Sequence, residues 1–228
     1  MRNNVHHEGS VSSLSYPSKR EGKLDVSFTY DRDGNRKYLT VRERRKFLKA
    51  AKRAEPPVYA FCLVLTLTGA RLSEVLALTP RQIDAEAGVI TIRSLKKRRD
   101  SSAVFRAVPV PPQLLHLLEA VYGIKSARQD NARIDAAIWP WCRTTAWKRV
   151  KEVMRAAGVV GVQATPKGLR HGYAIGALVF GVPDTTVMRW LGHSRLETTM
   201  IYTEAIGAEA HAIAKRMWEP LLKRDLIA

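Results

Sequence analysis

One stretch, "PPVYAFCLVLTLTG" at residues 56–69, restricts the possible folds of this chain more than any other. Its apolar run is long enough for a buried helix but too short to cross a bilayer, which requires about 20 apolar residues. A glycine directly after such a run is typical of a helix end. The stretch therefore predicts a largely buried helix that ends near Gly69, and no run in the sequence is long enough to span a membrane.

The remaining patterns predict a mainly α-helical fold with a small antiparallel β-sheet (α+β). Thr40, with Glu43 three residues later, forms a capping box that opens a helix. "VITIR" and "FRAVPVP" are interpreted as two strands that flank a basic loop, "SLKKRRDSSAV". Thr79 and Pro80 suit the start of a helical turn. Further helices are predicted in "PPQLLHLLEAVYG", "TTAWKRVKEVMRAAG", "TPKGLRHGYAIGALVFG" and "PDTTVMRWLG".

The chain divides into two parts. Residues 1–39 are polar and predict a largely irregular N-terminal extension. Residues 40–228 predict one packed domain, with a helix over "ETTMIYTEAIGAEA" and an amphipathic C-terminal helix at about residues 206–224. A chain of 228 residues with 46% hydrophobic content can bury one substantial core.

The charge of the chain indicates a polyanionic partner. Lys and Arg total 38 against 21 Asp and Glu, which gives a net charge of +17. Such an excess repels itself and is usually matched by nucleic acid or an anionic membrane, of which nucleic acid is favoured here. The two cysteines, Cys62 and Cys142, show no metal-ligand or redox spacing and are interpreted as reduced packing residues. Because the N-terminus also lacks the apolar core of a signal peptide, we expect a cytoplasmic protein with no membrane partner.

Four segments carry residues suited to phosphate chemistry. In "TGARLSE", Arg71 follows a helix end, so its side chain can leave the core beside a turn. In "TPKGLRHG", Lys167 and Arg170 are three residues apart and share a helix face. In "LGHS", His193 follows another helix end, and in "TTMIYT", Tyr202 comes nine residues after that histidine. Each residue alone is commonplace, but the ordered set is specific.

In order and spacing, these motifs closely resemble the catalytic domain of the tyrosine recombinase (phage integrase) family, over roughly residues 40–205. The resemblance implies the mixed, mainly α fold of that domain and site-specific cleavage and rejoining of double-stranded DNA. It implies a reaction without cofactor or ATP, because the covalent intermediate keeps the energy of the phosphodiester. It also implies no metal, because two arginines and a lysine replace the charge that a metal would supply. In the family, a C-terminal helix often docks on a neighbouring protomer on DNA, which implies self-association through the C-terminal helix. The alternative is that this helix folds back onto its own domain.

The resemblance assigns roles to the residues of the motifs. Tyr202 is the nucleophile, which attacks a DNA phosphodiester and leaves a 3′-phosphotyrosyl link and a 5′-hydroxyl. Arg71 and Arg170 clamp the crowded phosphorane through paired N–H donors, and His193 donates a further hydrogen bond.

The hairpin loop "SLKKRRD" supplies the general acid in this scheme. The family uses a lysine in a β-hairpin loop to protonate the leaving 5′-oxygen. Lys96 is the favoured residue, and Lys97 is the alternative. Together with Arg98 and Arg99, these lysines are also expected to bind DNA.

One position departs from the family pattern. Lys167 stands where the family has the first histidine of "H-x-x-R". A lysine can donate to a phosphate oxygen, but it is a poor base at neutral pH unless it is desolvated. The acceptor of the Tyr202 proton therefore stays open. His171, which matches the second histidine of the family, and Glu74 are expected to support the site from behind.

Two other functions stay open at this point. One is a non-catalytic DNA-binding regulator that keeps the fold. The other is a relaxing enzyme similar to type IB topoisomerases, in which similar lysine-for-histidine replacements occur. Members of the family also commonly carry an N-terminal core-binding domain of about 100 residues. The residues ahead of position 40 are too few for it, so we expect that domain to be missing from this chain.

Overall fold

A computed structural model describes residues 29–95, 104–193 and Thr199. This part of the chain is mainly α-helical with one small antiparallel sheet, which confirms the predicted fold class. The helices are α1 (Val41–Ala51), α2 (Pro56–Thr68), α3 (Leu72–Leu76), α4 (Pro112–Tyr122), α5 (Ile124–Gln129), α6 (Arg143–Ala156), α7 (Pro166–Val179) and α8 (Asp184–Leu191). The strands are β1 (Ile83–Asp84), β2 (Val89–Arg93) and β3 (Phe105–Pro109).

Helix α2 lies at the centre of the main core, as its apolar sequence predicts. It packs against α1, α4, α6 and α7, and its residues are buried on nearly every side. The Phe61 and Trp139 rings pack in a T-shaped arrangement at a centroid distance of 5.2 Å, and the Trp139 indole donates to the Pro57 carbonyl at 3.0 Å. Cys62 is buried in this helix, but Cys142 is exposed at the start of α6, so its interpretation as a packing residue was wrong.

The sheet has the order β1–β2–β3. Strands β2 and β3 coincide with the two predicted strands, and they pair so that Ile90 faces Val108 and Ile92 faces Arg106. Strand β1, of two residues, was not predicted, nor were the short helices α3 and α5. The helical turn predicted at Thr79 is a single 3-10 turn, Pro80–Gln82, because the chain enters β1 directly after it.

The packed body extends back beyond the expected boundary at Thr40. Tyr38 and Leu39 are buried, and the Leu39 amide donates to the Gly168 carbonyl of α7 at 3.1 Å. Arg36 pairs with Glu43 in the first turn of α1 at 2.6 Å, where the predicted capping box with Thr40 is formed. The irregular segment ahead of α1 is therefore tied to both α1 and α7.

Helices α7 and α8 build a second hydrophobic cluster beside the main core. Ile175 and Leu178 of α7 pack with Val187 and Leu191 of α8, and Tyr38 completes the group. This packing brings the C-terminal end of α8 next to the C-terminal end of α2. In the described part of the chain, no helix is long and apolar enough to cross a membrane.

Candidate active site

Arg170 connects the adjoining ends of two helices. It lies on α7 and is 7% exposed. Its Nη1 donates to the Gly69 carbonyl after α2, and its Nη2 donates to the Leu191 carbonyl of α8, both at 2.8 Å. Residues 101 and 21 positions away in the sequence are thereby held by one guanidinium. A guanidinium carries five N–H donors in one plane, so it can contact several acceptors at once.

Gly69 is required at this junction for two reasons. Its φ of +62° lies in the left-handed region, where a side chain is strained. A Cβ atom at this position would lie 2.5 Å from the Tyr173 ring, closer than such contacts occur. The glycine therefore ends α2 as predicted, and it also turns its carbonyl toward Arg170.

His193 follows the end of α8, as its sequence context predicts. Gly192 ends the helix with a φ of +65°, and the His193 Nδ1 lies 2.9 Å from the Thr199 hydroxyl. Burial, and after it the positive charges of Arg170 and Arg71, lower the pKa of His193 from 6.5 to about 3. The imidazole is therefore neutral near pH 7, and it can offer a hydrogen bond but not a positive charge.

Arg71 and Glu74 form the side of the site that faces α3. The fully buried Glu74 carboxylate accepts from the backbone N–H of Arg71 at 2.9 Å and from its guanidinium at 2.8 Å. Burial would raise the pKa of Glu74, but hydrogen bonding and charge from Arg106, with the Arg71 contacts, hold it below its ordinary value. The Arg71 side chain stays 30% exposed, so it can reach a ligand.

Arg106 is the residue of this cluster that sequence analysis missed. Its Nη2 donates to Glu74 at 2.6 Å, and its Nε donates to the Trp190 carbonyl at 2.7 Å. A signal was present, because Arg106 shares the inward face of β3 with the buried Val108. A charged residue at an inward strand position requires a partner.

Lys167 and His171 lie on one face of α7, one turn apart. His171 is buried, and burial lowers its pKa to about 3, assisted by the charges of Lys167 and Arg170. Lys167 is exposed in the first turn of the helix. The structure therefore places His171 inside the domain and Lys167 at its surface, and the roles of both at the site stay predictions.

Several predicted residues lie outside the described residues. They are the nucleophile Tyr202, the loop residues Lys96, Lys97, Arg98 and Arg99, and the C-terminal helix at about residues 206–224. Ser94 pairs with Val104 at the base of that loop, where the Ser94 amide donates to the Val104 carbonyl at 2.8 Å.

The described part of the site is a cationic cluster that opens to solvent through Arg71. It combines the guanidiniums of Arg71 and Arg170 with the neutral imidazole of His193, a set of donors suited to a phosphate that gains negative charge during a reaction. Among the residues that the structure describes, no group of three or more His, Cys, Asp or Glu is placed to hold a metal ion.

Comparison with known proteins identifies the family. The sequence matches the phage integrase family over residues 37–208, and the chain belongs to that family. It is similar to tyrosine recombinase XerA of Pyrococcus furiosus, with 29% identity over 190 residues, which cover 79% of this chain and 61% of the relative. The chain thus spans about six-tenths of the length of such curated relatives.

Solved structures of the family share the fold. The crystal structure of XerA recombinase matches with a TM-score of 0.64 and 23% identity, over 82% of this chain and 65% of that one. A pre-cleavage complex of the XerH site-specific recombinase bound to its difH substrate matches with a TM-score of 0.61 and 21% identity, over 81% and 59% of the two chains. The family resemblance and the fold predicted from the motifs are both confirmed.

Proposed function

We propose that this chain is the catalytic domain of a site-specific DNA recombinase, which cleaves and rejoins duplex DNA through a covalent 3′-phosphotyrosine at Tyr202. The observation that carries the proposal is the meeting of Arg71, Arg170 and His193 around the adjoining ends of α2 and α8. These residues come from three distant parts of the sequence. Membership of the phage integrase family and the net charge of +17 support the proposal.

In the proposed reaction, the Tyr202 hydroxyl gives up its proton and its oxygen attacks the phosphorus, while the bond from phosphorus to the 5′-oxygen breaks. Arg71 and Arg170 stabilise the negative charge on the non-bridging oxygens, and His193 donates a hydrogen bond to one of them. Lys96, or Lys97 in the alternative, gives a proton to the departing 5′-oxygen. Rejoining is the reverse, in which a 5′-hydroxyl attacks the phosphotyrosine and releases Tyr202.

Lys167 and His171 act beside this centre. Lys167 is exposed in the first turn of α7, one turn before His171. From this position its ammonium can bind a phosphate oxygen of the DNA. His171 is buried and neutral near pH 7, so it supports α7 from behind without adding charge. The replacement of a histidine by Lys167 thus keeps a donor at the site.

The proposed partners are duplex DNA and other copies of the chain. The basic loop Lys96, Lys97, Arg98 and Arg99 is proposed to contact the DNA backbone. The amphipathic segment at about residues 206–224 is proposed to dock on a neighbouring protomer when two sites are paired. Because the substrate is DNA, the protein is proposed to act in the cytoplasm.

A selection for covalent adducts tests the function. The protein is incubated with a pool of randomised, nicked duplexes, in which a cleaved end diffuses away and traps the adduct. DNA that stays attached to protein under denaturing conditions is recovered and sequenced. We expect one motif to be enriched by the wild type and none by Tyr202→Phe. Failure of the wild type to retain any DNA would contradict the proposal and favour a non-catalytic regulator.

The selected motif then separates recombination from relaxation. Two duplexes of different length, each with the motif, should yield exchanged products with a recombinase. A supercoiled plasmid that relaxes without exchange would instead favour the topoisomerase-like alternative.

A further inference from the structure

Arg106 is a buried arginine on the inward face of the sheet. It is 6% exposed, and it faces the fully buried Ile92 across β2 and β3. An ionised group in such a position is costly unless its hydrogen bonds are satisfied. Arg106 meets that condition through partners on three separate segments.

The partners surround the guanidinium. Nη2 donates to Glu74 Oε2 at 2.6 Å, and Nε donates to the Trp190 carbonyl at 2.7 Å. Nη1 donates to the Ser94 hydroxyl at 3.2 Å and has a longer contact of 3.5 Å to Glu74 Oε1. Gly192 permits this approach, because a Cβ atom there would lie 3.0 Å from Arg106 Nη1.

Each partner adjoins a segment of the proposed active site. Glu74 binds the guanidinium of Arg71 through the same carboxylate. Trp190 comes three residues before His193, and Ser94 comes two residues before Lys96 at the base of the hairpin loop. The Arg106 side chain thereby connects α3, the end of α8 and Ser94, the residue that follows β2.

We propose that Arg106 is a positioning residue, which fixes the relative placement of Arg71, His193 and Ser94 for DNA cleavage. This inference rests on the proposed function. Arg106 acts through its partners and does not touch the phosphate. Small displacements of catalytic groups are costly, since a misplacement of about 1 Å can lower a rate about 100-fold.

The first test replaces Arg106 by lysine. Arg106→Lys keeps a positive charge beside Glu74, but one ammonium cannot reproduce the planar fork that reaches all three segments. We expect a folded protein that binds the selected duplex with wild-type affinity and forms the adduct about 100-fold more slowly at saturating DNA. The matched control is Arg81→Lys, since Arg81 pairs with Asp135 on the exposed surface, and this variant should keep the wild-type rate.

The second test separates positioning from general loss of structure. Ser94→Ala removes only the bond to the loop base, so cleavage should slow on normal DNA and return to the wild-type rate on a duplex with a 5′-bridging sulfur. A thiolate leaves without a proton, which makes placement of the loop unimportant. Arg106→Lys should recover only in part, because Arg71 and His193 remain misplaced.

The outcomes separate the inference from the proposed function. A wild type that forms no adduct rejects the function itself. A wild type that is active, with a folded Arg106→Lys variant of equal rate, rejects the positioning role. If Arg106→Lys does not fold, Ser94→Ala decides alone, and a wild-type rate on normal DNA rejects the inference.

Discussion

The buried His171 makes a prediction about stability and pH. Its pKa is lowered from 6.5 to about 3 in the folded protein, chiefly by burial and then by the charges of Lys167 and Arg170. Above the unfolded pKa, both states are neutral and folding keeps its full stability. As the pH falls below 6.5, His171 is protonated in the unfolded chain but stays neutral in the folded protein, so stability decreases down to about pH 3.

The size of this loss follows from the two pKa values. At about pH 5, the pH lies about 1.5 units below the pKa of the histidine in the unfolded chain. Each unit lowers the free energy of unfolding by about 1.36 kcal/mol, so the loss is about 2 kcal/mol. Any folded pKa below about 4 gives the same loss at this pH. A domain of ordinary stability has about 5–15 kcal/mol in total, so the effect is large enough to measure.

Urea unfolding at neutral pH and near pH 5 measures the effect in the wild type and in His171→Gln. The variant should be less stable than the wild type at both pH values. Its free energy of unfolding should nevertheless decrease by about 2 kcal/mol less than that of the wild type from neutral pH to about pH 5. His193, whose pKa is also about 3, contributes a loss of the same sign in both proteins. Glu43 and Glu74, whose pKa values are lowered from 4.5, contribute mainly at more acidic pH. Parallel pH profiles for the two proteins would refute a buried neutral His171.

Other substitutions test single features of the site. Gly69→Ala should destabilise the fold by more than about 1 kcal/mol in urea unfolding, because it adds a strained φ and a clash; unchanged stability would contradict the geometry. Thr199→Val should slow adduct formation about tenfold at unchanged DNA affinity through loss of the bond to His193, and a wild-type rate would contradict this role. Lys96→Ala should be slow on normal DNA and fast on a sulfur-bridged duplex, whereas rescue of Lys97→Ala instead would move the general acid by one residue. DNA affinity should fall steeply with salt, by about 0.9 in log–log slope for each neutralised phosphate, and a slope near zero would exclude a phosphate-binding surface.

The sequence predicts the helices that have strong local signals. The capping box at Thr40 and the glycine after α2 and α4 mark their ends, because the chemistry of these ends lies within a few residues. Helices α3 and α5 are short, with five and six residues, and tertiary contacts rather than periodicity stabilise them. Strand β1 has two residues, too few for an alternation to appear.

The site could be predicted only where a motif of the family marks a residue. Arg71, Arg170 and His193 were predicted in this way, and the structure brings them together. None of the quoted motifs includes Arg106. Its partners Ser94, Glu74 and Trp190 lie 12, 32 and 84 residues away in the sequence. Such a network depends on tertiary packing, so the only local sign of a buried partner for Arg106 was its inward position in strand β3.

Mapping the covalent link to one residue tests the central claim most directly. Trypsin cleavage after Arg195 and Lys215 yields the peptide 196–215, in which Tyr202 is the only one of the chain's 7 tyrosines. After adduct formation and nuclease digestion, mass spectrometry should find a nucleotide attached to this peptide at Tyr202, through a 3′-phosphate. A nucleotide on another residue, or a link through a 5′-phosphate, would contradict the account.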